Sequence, residues 1–507
     1  MKAASRALCI GTRGSTLAVA QSRQVATDLQ AAHPGLQVKL VTLSTRGDRD
    51  CSTPLSTVQD AAFFSAEIDV ALLAGDVDIT VHSRKDLDGP RPDGIVTAAM
   101  PSRVNPRDVV LFRGSVIDRL LRGASLRIGT SSTRRARNVQ RFLQAALPRV
   151  GPEPDIQCVP LRGPVDRRVA RLHSGGSDAL DGVVLALAGL ERLWLDPAGR
   201  RAVEGQLDDV RWMVLPLSEC PAAPGQGALA VECRARDAVT RDLLRAVHDA
   251  RTADEVAAEF AAADQLVAQQ RAAFGATAVT VPGLGKLLFA RGAAGADNML
   301  RWPAPPRPAV ARALDGGAWH RAGTHRAVQQ PLSAPDSKAV FVAHWRALNP
   351  IAKLFKHQRI WTSGWQSWQR LSAAGLWVEG CADGLGFDAL RPTLASPVLQ
   401  LPPLEQWLAL TRVGAEDTWR DSGIVNVVGS YTMEPPPSDA LRRLRTAARH
   451  ATHFYWSSRE QYLALRDCVP PAAHHACGTG KTRRALTELG IEPHVFPNRE
   501  AWQTWLR

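Results

Sequence analysis

The chain has 507 residues, too many for one hydrophobic core, and its 45% hydrophobic and 22% charged residues are the balance of a globular protein of several domains. No apolar run approaches a membrane span, the longest clean one being residues 183–190, and residues 1–6 lead into a strand without the apolar region of a secretory signal. The net charge of +13 suits an anionic partner, but the Arg clusters at 134–137 and 442–445 lack the interleaved aromatics of a single-strand nucleic-acid binder.

Eight cysteines form no Cys-x-x-Cys pair, so they read as reduced thiols of a cytoplasmic protein. In chain order, Leu8 to Gly11 is a short strand, and Ser15 is placed to cap the apolar-periodic helix that follows. A second strand, Val38 to Leu43, ends in Ser44-Thr45-Arg46-Gly47-Asp48. An amphipathic helix spans about 66–73. The alternation Val77, Ile79, Val81 then gives a strand that stops on Arg84-Lys85-Asp86, with Gly89, Pro90 and Pro92 barring its continuation. Alone, such a triplet is a solvated turn. At the carboxyl end of a buried strand it is where open α/β folds bind ligands.

The pattern recurs further on. Leu126 to Gly129 is a strand, and Thr130-Ser131-Ser132 caps a helix carrying Arg134 and Arg135. Gln157 to Leu161 is a strand ending in Arg162-Gly163; residues 167–172 are a helix and 182–187 a buried strand. Arginines beside helix N-termini are suited to carboxylate or phosphate groups. Singly, most surface arginines pair with a nearby acid, but Arg13, Arg46, Arg134, Arg135, Arg162 and Arg168 all fall near strand-to-helix junctions. A Gly-rich turn before Leu229 leads into a strand, and residues 235–266 are helical. A Pro-rich stretch follows Arg301, and a new α/β region opens at Lys338 with two similar halves. There, Gly478-Thr479-Gly480-Lys481-Thr482 ends like a phosphate loop, but His475 stands where that motif needs glycine. His474, His475 and Cys477 share one local segment without a second ligand pair, so no metal site is expected. Trp361, Trp365 and Trp368 are spaced for core or interface packing.

Several stretches occur in the order of one family: Gly11-Thr12-Arg13-Gly14-Ser15, Thr45-Arg46-Gly47-Asp48, Val81-His82-Ser83-Arg84-Lys85-Asp86, Asn105-Pro106-Arg107-Asp108, Ile128-Gly129-Thr130-Ser131-Ser132-Thr133-Arg134-Arg135, Leu161-Arg162-Gly163, residues 186–193 and Pro224-Gly225-Gln226-Gly227-Ala228. On these, the chain to about residue 300 resembles hydroxymethylbilane synthase, also called porphobilinogen deaminase. The remainder resembles uroporphyrinogen-III synthase, through its two Thr/Ser-Ser turns, the 478–482 helix opening with Leu486 and Gly490, and Tyr431 after a central strand.

The fold implied is α/β: two periplasmic-binding-protein-like domains, a small α+β third domain, then a two-lobed α/β synthase-like region. The expected boundaries are 1–104 with 206–235, 105–205, 236–302, a linker at 303–337, and 338–507. The resemblance implies that four porphobilinogens join with loss of ammonia, followed by cyclisation to uroporphyrinogen III. It implies Asp86 as the catalytic carboxylate with Lys85 beside it. Substrate carboxylates would be held by Arg13, Ser15, Ser83, Arg134, Arg135, Arg162, Arg168 and Arg192. In the C-terminal region the expected site residues are Ser363, Tyr431, Ser457, Thr479 and Thr482. Porphobilinogen and a linear tetrapyrrole are the expected partners of a monomer that binds neither nucleic acid nor membrane.

The same resemblance implies a dipyrromethane cofactor on a cysteine of the third domain. Here Gln270 or a neighbour occupies that position, and a carboxamide cannot form the thioether. The family's mobile glycine-rich loop is replaced by Gln59-Asp60-Ala61-Ala62 ahead of Phe63-Phe64, and Pro164 replaces a polar residue. Three readings follow: polymerisation from a non-covalent primer, a catalytically impaired enzyme kept for its second domain, or a non-enzymatic binder of anionic pyrroles.

Overall fold

The computed structural model describes residues 7–45, 65–87, 89–176, 178–292, 299–308, 311–315, 327–329, 337–348, 358–433 and 436–507. The first sheet takes β1 (Leu8–Arg13), β2 (Val38–Leu43), β3 (Ile79–Ser83) and β4 (Ile95–Ala99). The chain then leaves it to build a second sheet from β5 (Asp108–Arg113), β6 (Leu126–Gly129), β7 (Ile156–Val159), β8 (Gly182–Ala186) and β9 (Val210–Val214). It returns as β10 (Leu229–Arg234), giving the orders β2-β1-β3-β10-β4 and β7-β6-β8-β5-β9.

These sheets are mixed: β1 runs parallel to β2 and β3, whereas β10 is antiparallel to β3 and β4. Central strands are buried on both faces: β5 reads as a nearly continuous apolar run, whereas β3 alternates apolar with buried polar residues, Thr80 and His82. Ser15 caps the helix Thr16–Ala32 by accepting from the Ala18 N–H, and Ser132 caps Thr133–Ala146 from the Arg135 N–H.

β9 corrects one expected boundary. Residues 210–214 pair antiparallel with β5 in the second sheet, so the return crossing starts after Val214 rather than at 206. A three-stranded antiparallel sheet follows, from β11 (Gly275–Val281), β12 (Gly285–Arg291) and β13 (Met299–Arg301), with the helix Ala250–Ala263 before it in sequence.

The stretch 303–337 is more than a linker. It supplies β14 (Ala313–Asp315) and β15 (Ala327–Gln329) to two further sheets. The six-stranded one adds β16 (Ala339–Val342), β17 (Arg359–Thr362), β18 (Val378–Cys381), β19 (Trp407–Arg412) and β20 (Asn426–Met433), in the order β15-β20-β19-β16-β17-β18. The four-stranded one adds β21 (His453–Trp456), β22 (His474–Gly478) and β23 (His494–Phe496), in the order β14-β21-β22-β23.

The second sheet and the six-stranded sheet meet edge to edge, β9 against β18, and the Trp377 indole donates to the Trp212 carbonyl at 2.9 Å. Two hydrophobic clusters run without a break across this junction. One joins Val110, Phe112 and Ile128 to Val340, Trp368 and Leu408; the other joins Val109, Leu111 and Val183 to Phe341, Trp361 and Trp407. Trp365 and Trp368 pack on Phe142, so the tryptophans are core and interface residues, as their spacing predicts.

Candidate active site

β3 ends at Ser83, opposite Leu229, and the chain turns once through Arg84–Asp86. Arg84 lies over the Phe260 ring at 3.8 Å and donates to the Leu87 carbonyl at 2.6 Å. That leaves Asp86 exposed and Lys85 half-buried. Lys85 Nζ donates to Gln226 Oε1 at 3.2 Å. Gln226 can approach because Gly225, at φ +74°, has no side chain: a Cβ there would sit 3.0 Å from Arg84 Cγ and 3.2 Å from the Lys85 N.

Asp108 at the start of β5 is the matching group on the second sheet. Arg134 and Arg135 each reach it at 2.8 Å, and Gln226 Nε2 donates to it at 2.8 Å. Burial alone would raise the Asp108 carboxyl, but the two guanidiniums outweigh it and hold the group well below the usual carboxylate range. Gln226 thus connects the sheets: its Oε1 accepts from Lys85 and from Arg135 Nη2, and its Nε2 donates to Asp108 and to the Pro106 carbonyl. Burial, the largest effect, pushes Lys85 down to about 8; Asp86 opposes that shift, Arg135 and Arg134 add to it, and Asp108 opposes it.

The other expected arginines divide into two groups. Arg168 is half-buried, donates to the Gly163 carbonyl at 2.6 Å, and is pushed down to about 10 by burial, with Arg135, Asp86 and Arg162 as its charged neighbours. Arg162 Nη1 is buried without a hydrogen-bond partner among the described residues. Arg192 faces elsewhere: it donates to the Gly227 carbonyl at 2.8 Å and to Gln24 at 3.1 Å, tying the glycine turn to the first helix. Arg134 and Arg135 are likewise largely occupied, by Asp108 and by the Pro221 and Val184 carbonyls. Arg13 is half-buried at the end of β1, Ser15 caps its helix, and Ser83 Oγ accepts from Gln21 at 2.8 Å. Arg46 and the stretch 59–64 lie outside the described residues.

Behind β3 sits a polar cluster that sequence reasoning missed. Asp69, His82 and Glu232 bring their ligand atoms within 4.8 Å of one another, but Arg91 bridges both carboxylates, at 2.5 and 2.8 Å, and offsets one of their two charges. His82 Nε2 is 3.7 Å from Glu232, a separation that would suit an imidazolium. Burial and then the Arg91 charge instead push the ring down to about 4, so it is neutral at pH 7.

Gln270 lies in the short helix Ala268–Arg271, where its N–H donates to the Val267 carbonyl. The strand that follows approaches the arginine pair: a Cβ on Gly275 would lie 3.1 Å from Arg134 Cδ. The sequence has no cysteine between Cys233 and Cys381. Cys220, which precedes the segment hydrogen-bonded to β11, is buried, and burial pushes its thiol far above the reactive range. A covalently attached primer therefore does not fit this third domain. Glu259 is a second residue that sequence reasoning missed: fully buried, it accepts from Arg103 at 2.6 Å, from the Gly225 N–H and from the Ala278 N–H, both at 2.7 Å.

In the C-terminal sheets two of the expected hydroxyls, those of Thr479 and Thr482, are spent on backbone. Thr479 donates to the Gly384 carbonyl at 3.2 Å, Thr482 to the Ser457 carbonyl at 3.2 Å, and Ser363 Oγ lies 3.5 Å from Ser367 Oγ. Ser457 is exposed and its N–H donates to Gln461. Tyr431 is 7% exposed, and burial pushes its phenol up. His475 in β22 accepts from the Trp456 indole of the neighbouring β21.

Residues 8–242 match the family model described as "Porphobilinogen deaminase, dipyromethane cofactor binding domain". The porphobilinogen deaminase of Streptococcus sanguinis (strain SK36) is 40% identical over 261 residues, 51% of this chain and 77% of that protein. That of Xanthomonas oryzae pv. oryzae (strain KACC10331 / KXO85) is 39% identical over 296 residues, 57% of this chain and 86% of that protein. Among solved structures, a periplasmic substrate-binding protein of an ABC transporter from Coxiella burnetii is 14% identical over 49% of this chain and 94% of that one, with a TM-score of 0.28. No described helix is long and apolar enough to cross a membrane.

Proposed function

Because the chain belongs to the porphobilinogen deaminase family, we propose that its N-terminal half joins porphobilinogens with loss of ammonia to form hydroxymethylbilane, in tetrapyrrole biosynthesis. The observation that carries this reading is electrostatic. Asp86, exposed at the end of β3, acts on both Lys85 and Arg168, and Arg135 acts on the same two groups. One exposed carboxylate thus faces a group of cations supplied mostly by the second sheet.

That arrangement suits the reaction. Loss of ammonia leaves an electrophilic azafulvene; the α-carbon of another pyrrole attacks it, and the resulting pyrrole cation loses its α-proton. Asp86 stabilises that cation through the pyrrole N–H groups and receives the proton. Each pyrrole also carries two carboxylates. Arg168 and Arg162, whose buried Nη1 has no partner among the described residues, are donors suited to them, and Lys85 supplies a further positive charge. Arg134 and Arg135 contribute mainly through charge, since Asp108 occupies them.

Gln270 favours a second reading, an impaired enzyme or a binder of anionic pyrroles. Purified full-length protein incubated with porphobilinogen separates the two. Ammonia release supports polymerisation; binding without release supports the binder. Intact mass, native and then denatured, tests the primer. A pyrrole adduct lost on denaturation supports non-covalent retention, and one that survives overturns the assignment at Gln270.

For the C-terminal half we propose cyclisation to uroporphyrinogen III. Two α/β sheets, between which the chain passes twice, can hold a flexible linear tetrapyrrole folded, which is most of what ring closure requires. Conversion of added hydroxymethylbilane to the type III isomer tests it; spontaneous type I product alone counts against it.

A further inference from the structure

We infer that Asp383, from the C-terminal half, is a positioning residue for the N-terminal cleft. The chain passes between the first two sheets twice, through residues 100–107 and 215–228. The relative placement of Asp86 and the arginines depends on those two crossings. Asp383 grips both. Its carboxylate pairs with Arg107 at 2.6 Å on the first crossing. On the second it accepts from the Leu217 N–H at 3.2 Å, the Ser218 N–H at 3.0 Å and the Ser218 hydroxyl at 2.8 Å.

The surroundings mark this as a built contact. The Asp383 side chain is fully buried and that of Arg107 is 7% exposed, so neither charge has water as an alternative partner. Asp383 adopts φ +53°, a left-handed conformation rare outside glycine, and Gly384 and Gly386 on its C-terminal side have positive φ as well. The turn is held in a costly shape that presents the carboxylate to the crossings. Nearby, Asn105 donates to Thr393 at 2.7 Å and Ser396 to Glu191 at 2.7 Å. Arg107 is followed directly by Asp108, which holds Arg134 and Arg135. A shift of Arg107 therefore reaches the arginine pair through one peptide unit. Two-sheet folds with paired crossings open and close by hinging there, and Asp383 braces that hinge from outside.

The kinetic part of the inference rests on the proposed deaminase activity; the mechanical part does not. Amide hydrogen exchange in the full-length chain tests the mechanical part, with Asp383→Ala against the exposed control Asp417→Ala. In Asp383→Ala the amides of Val104, Leu215 and Cys220 should exchange at least tenfold faster, while those of the helix Ala250–Ala263 hold their rate. Unchanged crossings, or an equal rise throughout the chain, overturn the brace. If Asp383→Ala does not fold, Asp383→Asn, which keeps one acceptor oxygen, is judged by the same amides with a smaller rise. In the ammonia assay kcat should fall about tenfold in Asp383→Ala with KM changed less than threefold; a fall in KM-limited affinity alone also overturns the brace. Wild-type protein releasing no ammonia would count against the activity and leave the exchange result to decide the brace.

Discussion

The two halves of the chain are made from similar parts. Each has two α/β sheets, and in each the chain leaves one sheet, builds the other and returns. Their polar groups are used differently. In the first half, unlike charges from separate sheets converge: Asp86 and Lys85 on one side, Asp108, Arg134, Arg135 and Arg168 on the other. In the second half, Thr479 and Thr482 spend their hydroxyls on backbone carbonyls, and glycine turns meet directly, a Cβ on Gly386 lying 3.2 Å from Gly480 Cα. The same architecture thus gathers unlike charges in one half and brings glycine turns together in the other; side chains at the strand ends, not strand order, make the difference.

Removing Asp86 is the strongest way to break that contrast. Asp86→Ala should lower ammonia release by about 10²–10⁴-fold, with the thermal midpoint unchanged because the side chain is exposed. The corresponding change in the second half, Tyr431→Phe, should slow type III ring closure less than tenfold, since holding the chain folded does most of the work. Equal losses in the two assays would show that both halves rely on a single acid or base.

The shared core sharpens the contrast from another side. Trp368 is fully buried, donates to the Ala146 carbonyl at 3.1 Å and lies edge-on to Phe142. Trp368→Ala should cost about 3–5 kcal/mol. Urea unfolding followed by fluorescence and by ammonia release should shift together, because the cluster spans both halves. Loss of C-terminal structure with the deaminase midpoint unmoved would mean that the halves are merely tethered.

Much of the first half was legible because its signals are local. Ser15 and Ser132 cap helices where the sequence places them, and β3 stops where the charged triplet interrupts it. Partners distant in sequence were not legible. Nothing local announces that Gln226 bridges Lys85 and Asp108, or that Arg192 turns to the Gly227 carbonyl. The segment 303–337 reads as linker from its prolines, yet its short β14 and β15 are strands because other strands supply their partners. Asp383 carries no motif; its role depends on crossings more than 160 residues away.

The buried cluster behind β3 gives a pH test confined to the first half. His82 is pushed down to about 4 from 6.5, so between those values the unfolded chain binds a proton that the folded chain does not. Stability should therefore fall as pH drops from 6.5 towards 4, by on the order of 3 kcal/mol at the single-site limit. His82→Gln should flatten that slope in urea melts at pH 7, 6 and 5. An unchanged slope would assign the acid sensitivity to other groups.

The smallest expected effect concerns Lys85, and it bears most directly on how the first half uses charge. Its ammonium is pushed down to about 8 from 10.5, chiefly by burial. Above pH 8 the folded chain loses a proton that the unfolded chain keeps, so stability rises up to about pH 10.5, with a single-site limit on the order of 3 kcal/mol as for His82. Binding should move the other way: deprotonation removes a positive charge from the cleft proposed to hold the substrate's carboxylates. KM for porphobilinogen should rise several-fold between pH 7 and 9, with its midpoint near 8, while kcat, governed by Asp86, stays level. Lys85→Arg should abolish the rise, because a guanidinium keeps its proton throughout that range. If the rise persists in Lys85→Arg, the titrating group is elsewhere, and Lys85 serves only to hold Gln226 and the glycine turn.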